Sequence, residues 1–115
     1  MDSDMNVFKD HLDLDQLNES TMGDRDLQCE LFQLFFGQCP DYLDQMRDSV
    51  VSGNVKNWRS AAHAIKGSAL GIGFFNIAQC AKIAEGMEPD AATLEKLQIT
   101  VDQAQNTASV CMLQN

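Results

Sequence analysis

Apolar residues recur three and four positions apart along most of this chain, and that spacing excludes most architectures. One series runs Val55, Trp58, Ala62, Ile65, Ala69 and Ile72, and another runs Leu94, Leu97, Val101, Ala104, Ala108 and Cys111. Each helical residue advances by about 100°, so such a series lines one face of a helix, whereas a half-buried strand would alternate. No segment alternates convincingly. The fold class read from the sequence is therefore all-α.

The same reading divides the chain. Leu12, Leu14 and Leu17 predict a short leading helix over about 12–20, ended before Gly23. A long helix follows from about Asp24 to Ser52, with Leu27, Leu31, Phe35, Cys39, Leu43, Met46 and Val50 expected along its buried stripe. Pro40 lies inside it with Gly37 close by, which predicts a bend or break, because proline lacks the backbone donor and crowds the Phe36 carbonyl. Gly53 and Asn54 read as the end of that helix and the cap of the next. Trp58 is expected to anchor the core, and Gly71 and Gly73 to stop the third helix. A fourth helix is expected from about Phe74 to Met87, burying Ile77, Cys80, Ala81 and Ala84. Glu88, Pro89 and Asp90 form a turn and restart, with Pro89 placed in a first helical turn. Met46 and Met87 are read as core filler. Four longer amphipathic helices with short connections predict an antiparallel up-down four-helix bundle over about 24–113, the short N-terminal helix covering one end. The 115 residues make one domain.

Charge narrows the partners. A net charge of −9 argues against general nucleic-acid binding, which needs Lys and Arg to neutralise phosphates. Seven of those nine negative charges lie within residues 1–30. From Ser49 through Ala84 there is no acid, while Lys56, Arg59, Lys66 and Lys82 are all positive. No apolar run has the length of a signal peptide or membrane span, so the expected location is cytoplasmic, without membrane contact. Cys29, Cys39, Cys80 and Cys111 are scattered without a C-x-x-C pair and are expected to be buried free thiols.

His63 projects roughly 130° from the centre of the third helix's apolar stripe and should face solvent. Arg59, Lys66, Gly67 and Leu70 fall on the same side, with Lys56 nearby, so a basic face surrounds one imidazole. A histidine of ordinary pKa is mostly neutral near pH 7 and offers a nitrogen lone pair for attack on phosphorus. Positive neighbours suit the charge that would follow, Lys66 by partly neutralising a phosphoryl group. Gly67 costs about 1 kcal/mol relative to alanine inside a helix, and its missing Cβ leaves room for another protein to approach the ring. Leu70, exposed further along, is then docking surface.

His63, Lys66, Gly67, Ser68, Ala69 and Gly73 stand in the order H-x-x-K-G-S-[SA]-x-x-x-G. This stretch resembles the signature of histidine-containing phosphotransfer domains. The resemblance extends over most of the chain, through the leading segment Leu12–Leu17, the second-helix run Leu31 to Phe36, and Glu85 as the acid of the following helix. It implies a helical bundle in which His63 accepts the phosphoryl group, Lys66 assists electrostatically, Gly67 keeps the approach open, and Ser68 and Gly73 are structural. Ala69 stands where serine is common, and Ile77 where the family has leucine. The resemblance also implies no autonomous catalysis and no cofactor of the chain's own. The receiver domain of a response regulator brings the aspartate and its Mg2+, and a sensor or hybrid histidine kinase lies upstream. No glycine-rich ATP loop and no acidic cluster beside His63 is evident in the sequence.

Three other readings are open at this point. A phosphoacceptor module of a chemotaxis-type kinase would be loaded from ATP by a kinase domain. The start at Met1 and the end soon after the last helix favour an independent relay instead. A helical interaction module without phosphorylation would leave His63, Lys66 and Gly67 unexplained. A metal-binding bundle needs inward ligands from several helices, yet only His11 accompanies His63, and His11 is expected to be exposed and without a role. A monomer is expected from the small apolar surface.

Overall fold

The computed structural model describes residues 12–113, with side chains through residue 109. Five helices are present among the described residues, and no strands: α1 Leu14–Thr21, α2 Arg25–Ser52, α3 Val55–Ile72, α4 Phe75–Glu85 and α5 Ala91–Leu113. The starts of four of them follow from capping. The Asp13 carboxylate accepts from the Gln16 amide (3.0 Å), Asp24 from Leu27 (3.1 Å), the Asn54 side chain from Asn57 (3.0 Å) and Asp90 from Thr93 (2.9 Å). Such a cap is worth about 1 kcal/mol.

The helices α2, α3, α4 and α5 pack in a closed cycle, α2 against α3, α3 against α4, α4 against α5 and α5 back against α2. Between them lies one core, with Trp58, Met46, Ile65, Ile77 and Leu97 among its fully buried side chains. The Trp58 indole N–H donates to the Ala84 carbonyl at 2.7 Å, so the buried ring loses no hydrogen bond and also ties α3 to the last turn of α4. The leading helix α1 packs on α2 and α3. Gln28 Nε2 reaches from α2 to Asn18 Oδ1 and Thr21 Oγ1, both at 3.0 Å, and Gln16 Nε2 donates to the Leu70 carbonyl on α3.

Several expectations are corrected. The helix α2 runs without a break through Pro40. Its first half buries Gln28, Phe32, Phe35, Phe36 and Cys39. Leu27 is exposed and Leu31 only half-buried. The rotation has a cause in Phe74, whose ring centre lies 5.5, 5.2 and 5.3 Å from those of Phe32, Phe35 and Phe36. Gathering three aromatic rings around a fourth turns that face inward, and α1 satisfies the Gln28 amide that comes with it. Gly71 is an ordinary residue of α3, whereas Gly73, at φ +105°, ends the helix. In α4 Ala78 is buried and Cys80 half-buried, and Met87 lies exposed beyond the helix end. Pro89 precedes α5, which Asp90 caps. Cys39 is buried, which pushes its thiol up to about 12, and Cys29 and Cys80 are partly exposed; all three are free. The expectations for His11 and Cys111 fall outside the described side chains.

Candidate functional site

The helix α3 buries Trp58, Ala61, Ala62, Ile65, Ala69 and Ile72, which fixes the opposite face toward solvent. On that face His63 has a side chain 67% exposed. Arg59, Gly67 and Leu70 are exposed beside it, Leu70 at 51%. Lys66 and Ser68 are half-buried. A Cβ built on Gly67 would meet nothing within 4 Å, so packing within the chain does not call for a glycine there. Gly73 differs. Its φ is +105°, a Cβ would lie 2.9 Å from the Asp13 carbonyl oxygen, and its own carbonyl accepts from the Asp13 amide at 2.7 Å. It is therefore a joint between the leading segment and the end of α3.

The sequence reading missed a second role for Glu85, the last residue of α4. One of its oxygens, Oε2, lies 2.6 Å from His63 Nδ1, and Lys66 Nζ donates to the other, Oε1, at 2.6 Å. The carboxylate is held below the usual range, first by the Lys66 hydrogen bond, which outweighs the upward pull of burial, with a lesser lowering from His63. It is thus ionised near neutral pH and can only accept. The proton of a neutral His63 then resides on Nδ1, and the lone pair on Nε2. Lys66, expected to stand ready for a phosphoryl group, is in this state paired with Glu85. A signal for this was available: Glu85 is the acid that ends the acid-free stretch from Ser49 to Ala84. What linear spacing could not supply is the rotation of α4 that aims it at His63.

Taken chemically, the site offers an exposed nucleophilic nitrogen, a carboxylate that fixes the ring's proton, a cation one turn away and open space over Gly67. Among the described residues no group of three or more His, Cys, Asp or Glu side chains could hold a metal ion.

The Hpt domain family matches residues 30–107, the span that contains α3 and α4 and hence the whole His63 cluster. The chain belongs to the Hpt domain family. Its role is accordingly histidine phosphotransfer in a phosphorelay. Among solved structures, this Hpt domain is similar to histidine-containing phosphotransfer protein B from Pseudomonas aeruginosa PAO1. The two share 20% sequence identity over 90% of this chain and 89% of that one, with a TM-score of 0.63. At that identity the likeness is one of fold. No curated protein sequence matches the chain. No helix among the described residues is long and apolar enough to cross a membrane.

Proposed function

We propose that this Hpt domain takes a phosphoryl group onto His63 Nε2 from the aspartyl phosphate of a receiver domain and passes it to the aspartate of another receiver. The observation that carries the reading is the 2.6 Å contact between His63 Nδ1 and Glu85 on an otherwise exposed ring. It leaves Nε2 as the free nitrogen. In loading, the Nε2 lone pair forms the new bond to phosphorus while the P–O bond to the donor aspartate breaks and its electrons leave with the carboxylate. Unloading is the reverse, toward a second aspartate.

The chain acts as a carrier without catalysis of its own. It contributes the nitrogen, the charge of Lys66 and the clearance over Gly67, with Arg59 and Leu70 as docking surface. Receiver and kinase domains are its partners, and Mg2+ is supplied on the receiver side. Its own cofactor and metal requirement is none. The closed helix cycle with two-residue links at Gly53–Asn54 and Gly73–Phe74 supports an up-down antiparallel bundle within one domain. A monomer working in the cytoplasm completes the proposal.

The test is phosphoryl transfer from a phosphorylated receiver to the purified protein. Wild type should take up label that is lost in acid and survives alkali, and His63→Gln should take up none. Labelled His63→Gln would overturn the assignment. Labelling of wild type by a kinase domain with ATP, but by no receiver, would favour the kinase-loaded reading.

A further inference from the structure

The closed helix cycle sets the seam between α2 and α5 opposite the α3–α4 edge, where His63 meets Glu85. That seam is not sealed. Beside the last turn of α2 and the first turns of α5 lies an open depression of about 490 Å³. Val50, Val51, Leu94 and Ile99 line it, with Val51 89% and Ile99 48% exposed. A second depression shares Arg47 and Gln98 with the first and continues the seam past Asp44 to Pro40. From Pro40 to Val51 the seam follows α2 for about 16 Å, roughly three helical turns.

The charge of the seam is one-sided. Among the charged side chains lining the two depressions, Asp44, Glu95 and Asp102 are acidic and Arg47 is the one cation. Arg47 is paired with Asp44 at 2.5 Å and donates to Gln98 across the seam at 3.3 Å, so its charge is already balanced. Asp48, exposed next to Arg47, adds a further acid on the α2 side. Lys96 projects about 160° from Gln98 around α5, away from the groove. The His63 face has the opposite sign, with Lys56 and Arg59 exposed and Lys66 half-buried. We propose that the α2–α5 seam docks a basic amphipathic helix of a partner protein, which this Hpt domain holds while His63 exchanges its phosphoryl group on the far side.

The apolar floor and the acidic flanks together select that occupant. A helix laid along the seam seats its large aliphatic side chains against Val50, Val51, Leu94 and Ile99. Lys or Arg on either side of its apolar stripe then reach Asp48 on one wall and Glu95 and Asp102 on the other. An extended segment fits less well, because the described residues form helices and offer no strand edge to pair with its backbone. A second copy of this chain, meeting seam to seam, would set these acids against the same acids. An anionic membrane surface is repelled for the same reason. A receiver approaching His63 uses the basic face, so the two partners do not compete for one surface.

The experiment titrates isotope-labelled protein, followed by NMR, with a hydrocarbon-stapled helical peptide of about three to four turns that carries a Leu stripe flanked by Lys. Two control peptides replace Lys by Glu or scramble the Leu stripe. The Lys peptide should bind saturably, with its largest shifts at Val50, Val51, Leu94 and Ile99 and none around His63. Transfer from a phosphorylated receiver should run at the same rate with the peptide bound. Both controls should bind about tenfold more weakly or worse, as loss of a buried anchor or of the matching charge requires. Val51→Ser with Ile99→Ser, both at exposed positions, should melt as wild type does and weaken binding about tenfold. Glu95→Gln with Asp102→Asn should weaken it about threefold, and more at low salt. Equal binding by the scrambled Lys peptide would reduce the seam to an unspecific acidic surface and overturn the proposal. So would shifts centred on the His63 face, or no saturable binding of the Lys peptide. Sedimentation showing a dimer that the Val51 and Ile99 substitutions dissolve would overturn it too, by giving the seam to a second copy.

Discussion

Enlarging Gly67 separates folding from transfer, because the space beside it is empty in the isolated protein and must be empty when a partner docks. A Cβ at this position meets nothing within 4 Å, and Gly67 lies inside α3 at a negative φ. Gly67→Ala should therefore stabilise the fold by about 1 kcal/mol, the intrinsic helix difference, raising Tm by about 4 °C in a chain of this size. Arginine has nearly the helix preference of alanine, so Gly67→Arg should melt no lower than wild type. Its effect on transfer is opposite. Positions four apart on a helix hold their Cβ atoms about 5–6 Å from each other, so the long side chain stands beside the His63 ring. In-line transfer needs the reacting atoms about 3 Å apart, and a misplacement of about 1 Å costs on the order of a hundredfold, or about 2.7 kcal/mol of barrier. The assay is a rapid-mixing measurement of transfer from a phosphorylated receiver, paired with thermal melts. Arginine also adds favourable charge for an acidic partner, so the variant decides between charge and clearance. A stable Gly67→Arg protein that transfers at the wild-type rate would refute the docking geometry.

Three further outcomes follow from the same contacts. Lys66→Ala should leave the fold intact and slow transfer roughly tenfold at low salt, about 1.4 kcal/mol, and less as salt screens the half-exposed charge; an unchanged rate at low salt would remove Lys66 from the mechanism. Gly73→Ala should cost about 2–3 kcal/mol in urea unfolding, the sum of a left-handed backbone and the hydrogen bond to Asp13 that the new Cβ displaces, while Gly71→Ala two residues earlier should be neutral or stabilising; equal effects would deny the joint at Gly73. Glu85 has a lowered pKa, so its contribution to stability is present above the ordinary glutamate value and lost as pH falls through the lower folded value. The gap in Tm between wild type and Glu85→Gln should accordingly close only in acid below the usual carboxylate range, and a gap constant from neutral to acid pH would contradict the pairing.

The helix content and the exposure of His63 were legible because α3 has an almost uninterrupted apolar stripe, which leaves only one orientation for the opposite face. The cap at Asn54 was legible for a similar local reason, the need to satisfy first-turn amides. What periodicity misplaced was decided by contacts far apart in sequence. Phe74 pulls Phe32 and Phe36 inward and so turns the start of α2 away from Leu27 and Leu31. Pro40 was expected to bend or break α2; the helix does not break there, because the packing of both its halves on one core outweighs a single lost backbone bond. Glu85 was visible as a family acid, yet its bridge between Lys66 and His63 depends on how α3 and α4 sit against each other, and no spacing within either helix encodes that.

The indole bond from Trp58 to the Ala84 carbonyl gives the protein a built-in optical reporter. Trp58 is the sole tryptophan, and it is fully buried, so its emission arises from one apolar environment and shifts to the red when the core opens to water. The carbonyl it binds belongs to the residue immediately before Glu85, which touches His63. Fluorescence from this one ring therefore watches the end of α4 at the site where phosphate is gained and lost, and does so without a dye or an added label.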